Sequence, residues 1–279
     1  MTVRIVTDSS CDIQPAEADA LGIEVVPLTI RFGDEELRDR EELSNEEFWA
    51  RVRTSPVLPE TAAPSVGAFE SVFTRLAEQG ASGILCINLS SRLSATMQSA
   101  QLAAKALEGI CPVAVVDSRS VSMGLGLQCI AAAEAAAEGA ALPELVRRVE
   151  DQAGRTFLYG ALDTLENLRK GGRIGAAQAL LGSALAIKPV VAVRDGVVAQ
   201  AAKVRTRSRS LRWLADRLAE AGPTEAVCVF EANAPDLGEL LDLLPPAIDR
   251  DAIRIGRIGP VIGTHCGPGT LGVGWVAAR

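Results

Sequence analysis

The amino-acid sequence predicts an α/β protein with two domains. Residues 1–154 should form a parallel sheet covered by helices in three α/β/α layers, and residues 155–279 an α+β domain, with a ligand site between them. Two patterns carry this expectation. In the first half, short β-branched runs alternate with segments of helical period, as in a sheet whose strands are buried on both faces. In the second half, hairpin signals appear among the helices.

The elements follow in order. Val3–Thr7, Ile23–Leu28, Ile84–Ile87 and Val113–Val116 read as buried strands. Ser44 and Glu47 have capping-box spacing and open a helix. Val66, Phe69, Phe73 and Leu76 share one helical face, and so do Met97, Ala100, Ala104 and Leu107. An alanine-rich helix is expected near 124–138, and Pro143 is placed at the first position of another. Beyond it, Ile187–Val193 and Val197–Ala201 read as strands joined by an Asp195-Gly196 turn. A helix carrying Leu211, Leu214 and Leu218 comes next, then strand Ala226–Glu231 and a helix from Pro235. Strands at Ile253–Ile258 and Leu271–Val276 flank a segment rich in glycine and proline.

Composition narrows the function. The chain has 279 residues, enough for one large domain or two ordinary ones. Hydrophobic residues make up 48% and aromatics only 4%, so the core is aliphatic. With 28 basic against 35 acidic residues the net charge is −7, which argues against a general nucleic-acid binder. No apolar stretch is long enough for a transmembrane helix, and the first residues lack the regions of a signal peptide. Six cysteines are scattered without a Cys-x-x-Cys pair and read as small buried hydrophobes in a reducing compartment. With a single histidine, no zinc site is expected. The expected location is the cytoplasm.

Four places could carry chemistry. The one histidine, His265, lies in Ile262–Gly269, which reads as a shaped loop. Leu89–Thr96 follows a strand and leads into a helix, so Ser94 is placed to cap that helix or to bind an anion at its N-terminus. Thr61 precedes the helix that Ser65 can cap, and is free on its loop. The run from Lys203 to Arg212 is basic within an acidic protein; it is either a solvated face or a dock for an acidic partner or a phosphate. Read singly, each of the first three is also an ordinary cap or loop residue. A Ser94, His265 and Asp8 triad is available in residue types alone; an acidic residue at Asp8 could be catalytic or bind a metal, but more often such a residue orders its loop. Gly267–Gly272 matches Gly-x-Gly-x-x-Gly, but leaves no room for the rest of a dinucleotide site.

Taken together, these segments resemble the DegV family of bacterial fatty-acid-binding proteins. The matching stretches are Ile5–Ser10, Thr61–Ser65, Leu89–Thr96, Val116–Ser118, Leu165–Ile174, Lys188-Pro189 with Asp195-Gly196 and Lys203–Thr206, and Gly263–Gly269. They run in order along essentially the whole chain. The resemblance implies a two-domain α/β carrier that holds one long-chain fatty acid between its domains. It further implies that Thr61 and Ser94 meet the carboxylate, with His265 nearby. Some members present the acid to a separate fatty acid kinase for phospholipid synthesis, and Arg205 would then lie on the docking face. No cofactor beyond the fatty acid is expected, and contact with a membrane would be peripheral, for lipid exchange. Two positions depart from the family pattern. Ala95 stands where glycine is usual, and Ala62-Ala63 follows Thr61 where Ser-x is usual. Leu162, Leu165, Leu168, Leu180, Leu181 and Leu185 are candidate tunnel walls. The alternatives are an acyl-ester hydrolase using Ser94 and His265, and a structural or regulatory module.

Overall fold

A computed structural model describes residues 2–180 and 187–279 of the chain. The candidate walls Leu181 and Leu185 fall outside the described residues. In order, the elements up to residue 155 are β1 (Val3–Asp8), α1 (Pro15–Ala20), β2 (Ile23–Val26), β3 (Thr29–Phe32), β4 (Glu35–Arg38), α2 (Asn45–Thr54), β5 (Glu60–Ala62), α3 (Val66–Glu78), β6 (Gly83–Asn88), α4 (Thr96–Lys105), β7 (Val113–Asp117), α5 (Ser122–Ala137) and α6 (Leu142–Arg155). There follow β8 (Thr156–Ala161), α7 (Glu166–Lys170), β9 (Lys188–Arg194), β10 (Val197–Val204), α8 (Arg207–Ala219), β11 (Thr224–Glu231), α9 (Leu237–Leu243), β12 (Ile253–Arg257), α10 (Pro260–Cys266) and β13 (Leu271–Ala277).

The architecture is α/β. Strands β2-β1-β6-β7 form a wholly parallel sheet. Its side chains alternate between two cores, as a pleated strand requires. Val6, Ile84 and Cys86 pack with Phe69, Phe73 and Leu76 of α3 and Ala100 and Ala103 of α4. Ile5, Leu85 and Ile87 pack on the other face with α5 and α6. The second sheet, β10-β9-β8-β13-β11-β12, is antiparallel except for its β11–β12 edge. Helix α5 lies between the two sheets and is buried almost all round. That explains why its sequence is alanine-rich without a polar face.

Local signals behaved largely as their chemistry dictates. Ser44 accepts from the Glu47 N–H at 3.2 Å, but the Glu47 carboxylate turns to Arg51 instead of completing the capping box. Ser65 caps α3 by accepting from the Ala68 N–H. Asp195 and Gly196 both have positive φ, 49° and 75°, as a type I′ hairpin turn demands. Pro143 sits one residue inside the start of α6, not at its first position. Helix α9 begins at Leu237, two residues after the expected Pro235.

Three features differ from expectation. A small antiparallel sheet, β4-β3-β5, joins the first half, and Thr61 lies in its edge strand β5 instead of a free loop. Strand β8 follows α6 directly, with no intervening loop to mark it in sequence. The histidine segment is helix α10, with His265 in its last turn; only Gly267 and Gly269, at φ 77° and 76°, form the shaped loop after it. Glycine at 263 had suggested a loop. In the structure it lets α10 press against α2, where a Cβ would lie 2.8 Å from both the Phe48 and Trp49 rings.

Candidate ligand-binding site

The carboxyl ends of β2, β6 and β7 face the six-stranded sheet across a cavity of about 220 Å³. Leu28, Leu89 and Val121, each just beyond one of these strand ends, line it from one side. Leu158, Val191, Val193 and Val198 line it from β8, β9 and β10. Helix α10 closes it with Val261, Ile262, His265 and Cys266. The walls are therefore mostly aliphatic, and a close-packed interior does not leave a hollow of this size by default. Of the expected tunnel walls, Leu162 and Leu168 line the cavity. Leu165 and Leu180 instead pack in the adjoining small core.

Thr61, Ser94, His265 and Arg173 all line this cavity and give it polar corners. Thr61 and His265 touch directly, with Oγ1 and Nε2 3.0 Å apart across 204 residues of sequence. Strand β5 supplies Thr61 through its pairing with Ile30 of β3, and α10 packs against both strands. The other ring nitrogen of His265, Nδ1, is buried against Gly171 and finds no hydrogen-bond partner among the described residues. A Cβ at 171 would lie 2.4 Å from Nδ1, so only glycine admits the ring there. Burial, reinforced by the charge of Arg173, holds the imidazole at a pKa of about 4, below its ordinary 6.5. His265 is thus neutral at pH 7. We assign its proton to Nε2, since a buried orphan donor is rarer than a buried orphan acceptor. Nε2–H then donates to Thr61 and leaves the Thr61 hydroxyl proton free for another acceptor.

Ser94 is not the cap of α4; that position is Ala95. Its Oγ lies 2.8 Å from Thr96 Oγ1 and accepts from the Thr96 N–H at 3.3 Å. The loop carrying it is held from the second half. Ser90 Oγ donates to the Gly196 carbonyl at 2.7 Å, and Arg92 to the Asp195 carbonyl at 2.9 Å. Arg173 Nε donates to the Leu93 carbonyl at 3.2 Å, one residue before Ser94. Arg173 is the site residue that sequence reasoning missed. The cue was the double glycine preceding it, since Gly171 admits the His265 ring and Gly172 turns the chain at φ 70°.

No Ser94-His265-Asp8 triad forms. His265 bonds Thr61, Ser94 bonds Thr96, and Asp8 is buried elsewhere. The Asp8 carboxylate accepts from Ser10, Asn88 and the Leu89 N–H, so it orders the start of the Ser94 loop. Burial raises its pKa against these hydrogen bonds. Arg205 does not line the cavity and is exposed on the bend before α8. Lys203, Arg209 and Arg212 are exposed with it, and none of the four has an ion-pair partner among the described residues. The cysteines are free, and burial pushes the Cys266 thiol up to about 12. Among the described residues no group of acids, histidines and cysteines could hold a metal ion, and no helix is long and apolar enough to cross a membrane.

Fold and site define an α/β protein whose parallel and mixed sheets enclose an aliphatic cavity with a few polar groups at its wall. The family model described as "Uncharacterised protein, DegV family" matches residues 2–278. The chain belongs to the DegV family. A DegV domain-containing protein of Streptomyces coelicolor is 39% identical over 97% of each chain. Among solved structures, a DegV family protein from Thermus thermophilus, described for its fatty acid binding, matches with TM-score 0.89 and 32% identity over 100% of both chains. DegV of Bacillus subtilis, described as a fatty acid binding protein, matches with TM-score 0.86 and 28% identity, again over 100% of both.

Proposed function

We propose that this chain is a carrier that binds one long-chain fatty acid between its two domains, residues 1–154 and 155–279. The acyl chain lies in the cavity as its tunnel, and the carboxylate meets Thr61, Ser94, His265 and Arg173. The observation that carries the reading is the join of an aliphatic cavity to the Thr61–His265 pair. The solved relatives described as fatty acid binding support the ligand class. A buried carboxylate must be hydrogen-bonded. Here the Thr61 hydroxyl has a proton to give, Ser94 offers a second, and Arg173 supplies charge from the same wall. Ala95 leaves the backbone N–H of its loop intact, so the departure from glycine removes no donor.

In this reading the protein works in the cytoplasm, exchanges lipid by peripheral membrane contact, needs no cofactor, and hands the acid to a kinase. The exposed cations around Arg205 support a docking face, because they are unpaired on an acidic protein. The hydrolase alternative lacks support in the geometry, since serine and histidine each have a different partner. Native mass spectrometry of the purified protein tests the proposal. A co-purifying or titratable long-chain fatty acid at one per chain is expected. A protein that takes up none from a mixed pool refutes it, and turnover of an acyl ester lost in Ser94→Ala reinstates the hydrolase.

A further inference from the structure

Asp12 lies outside the cavity lining, yet it ties together two elements that form that lining. It is 2% exposed and follows the short turn after β1, in the left-handed region at φ 53°. One carboxylate oxygen, Oδ1, accepts from the Gly259 N–H at 2.9 Å. Gly259 is the N-cap of α10, the helix that carries His265. The other, Oδ2, accepts from the Ser122 hydroxyl at 2.5 Å. Ser122 opens α5, lines the cavity, and is itself held at φ 50°, a conformation that costs a non-glycine residue. A single buried carboxyl in the first half therefore fixes the start of two helices, one of them from the far end of the sequence.

We propose that Asp12 is a positioning residue for the ligand site, setting α10, and with it His265, against the cavity by accepting from Gly259 and Ser122. The assignment rests on the fatty-acid reading above for its affinity measurement, but not for its structural ones. Two further observations support it. Trp49 Nε1 donates to the Ile258 carbonyl at 3.3 Å, so the segment entering α10 is gripped on both sides and Asp12 supplies the grip on the Gly259 N–H. The groups facing Asp12 are Arg40 and Asp39 from the loop after β4, Cys11 from its own turn, and Cys266 from α10. Burial dominates among these influences and pushes its carboxyl up to about 7. Asparagine therefore reproduces the neutral form. Its carbonyl can accept from Gly259, its amide can donate to Ser122, and it tolerates the left-handed backbone.

The test compares Asp12→Gly, which suits the positive φ and removes both acceptors, with Asp12→Asn. Binding is read with a fluorescent long-chain fatty acid, and the site by the NMR signals of the only imidazole. Asp12→Gly is expected to weaken binding at least tenfold and to move the His265 signals. Asp12→Asn is expected to stay within threefold of wild type. At pH 9, well above a carboxyl raised to about 7, the neutral acceptor of Asp12→Asn should speed hydrogen exchange severalfold in α10 relative to wild type and not in α8. Wild-type affinity and unmoved imidazole signals in a folded Asp12→Gly overturn the assignment. If that variant does not fold, unchanged α10 exchange in Asp12→Asn overturns it. Should the wild type bind no fatty acid, the carrier reading fails alone, and the imidazole and exchange measurements still decide the role of Asp12.

Discussion

Two cavities meet at one wall. Thr61, Arg173 and His265 line both the inner cavity and an outer one of about 460 Å³. Behind them the inner walls are valines and leucines; in front, the outer cavity presents Glu60, Asn167 and Lys170. The same three side chains thus separate an oily space from a polar one. An amphiphile whose head rests on this wall loses its tail to the inner side and keeps its head within reach of the outer. Under the proposed carrier role, the difference would account for hydroxyls and a neutral imidazole beside a single arginine instead of a cluster of cations: the head would be satisfied yet remain transferable.

Breaking the wall should produce the largest effect. In the proposed carrier, Thr61→Val and Ser94→Ala would each remove a hydrogen bond to a charged head, worth about 1.5–3 kcal/mol. Titration with a fluorescent fatty acid should show affinity falling roughly 10- to 150-fold, more in Thr61→Val, which also orphans the His265 Nε2–H. Unchanged affinity in both variants refutes the assignment of the head to this wall. His265→Ala should weaken binding less than either, because Thr61, Ser94 and Arg173 remain at the wall.

Pushing the wall inward comes next. Gly171→Ala places a methyl against the His265 ring, and overpacking of this kind costs about 1–3 kcal/mol. Thermal denaturation should register the loss, and the imidazole signals should shift even without ligand. If neither moves, the contact between Gly171 and the ring is not a constraint.

Proton linkage sharpens the contrast further. His265 has its pKa depressed to about 4 in the folded state from about 6.5 unfolded, so the unfolded chain binds the extra proton. Its contribution to stability is complete above pH 6.5 and declines as pH falls toward 4. Asp12 and Asp39, raised by burial to about 7 and about 6, act in the opposite sense and lose stability as pH rises from about 4. Melting temperatures of wild type and His265→Gln should therefore converge or cross as pH drops from 7 to 5, with wild type losing ground. A constant difference would show that the imidazole does not titrate in this window. Adding fatty acid should raise the His265 pKa, since an adjacent carboxylate favours the charged ring.

The smallest effect is expected far from the wall. Arg205→Glu should leave fatty-acid affinity within twofold of wild type while lowering phosphorylation by a cognate kinase, with a weaker dependence on salt. A loss of affinity instead would tie Arg205 to the cavity.

The parallel sheet was legible because its strands are β-branched runs separated by helices of clear period, and the Asp195-Gly196 hairpin because its turn chemistry is specific. Strand β5 was not, because three residues beside Pro59 and Pro64 carry no period, and its pairing with β3 is set by tertiary packing. Helix α10 was misread for a related reason. Gly263 lowers helix propensity, but the space it leaves for Phe48 and Trp49 outweighs that cost. Ser94 and His265 were found from their surroundings in sequence. Arg173 was not: the Gly171-Gly172 pair marks a turn and a close approach, but not that the arginine beyond it donates to the carbonyls of Leu93 and Gly171.

The grip of α2 on α10 has a consequence for synthesis. Thr61 leaves the ribosome 204 residues before His265, which at ordinary elongation rates is roughly 10–40 s. Throughout that interval Phe48 and Trp49 lack the helix they pack against, and the central strand β13 has yet to enter the second sheet between β8 and β11. A nascent chain therefore displays an aromatic pair and an unfinished sheet, both natural targets for a chaperone. It has no closed cavity in which to trap a lipid before it is made.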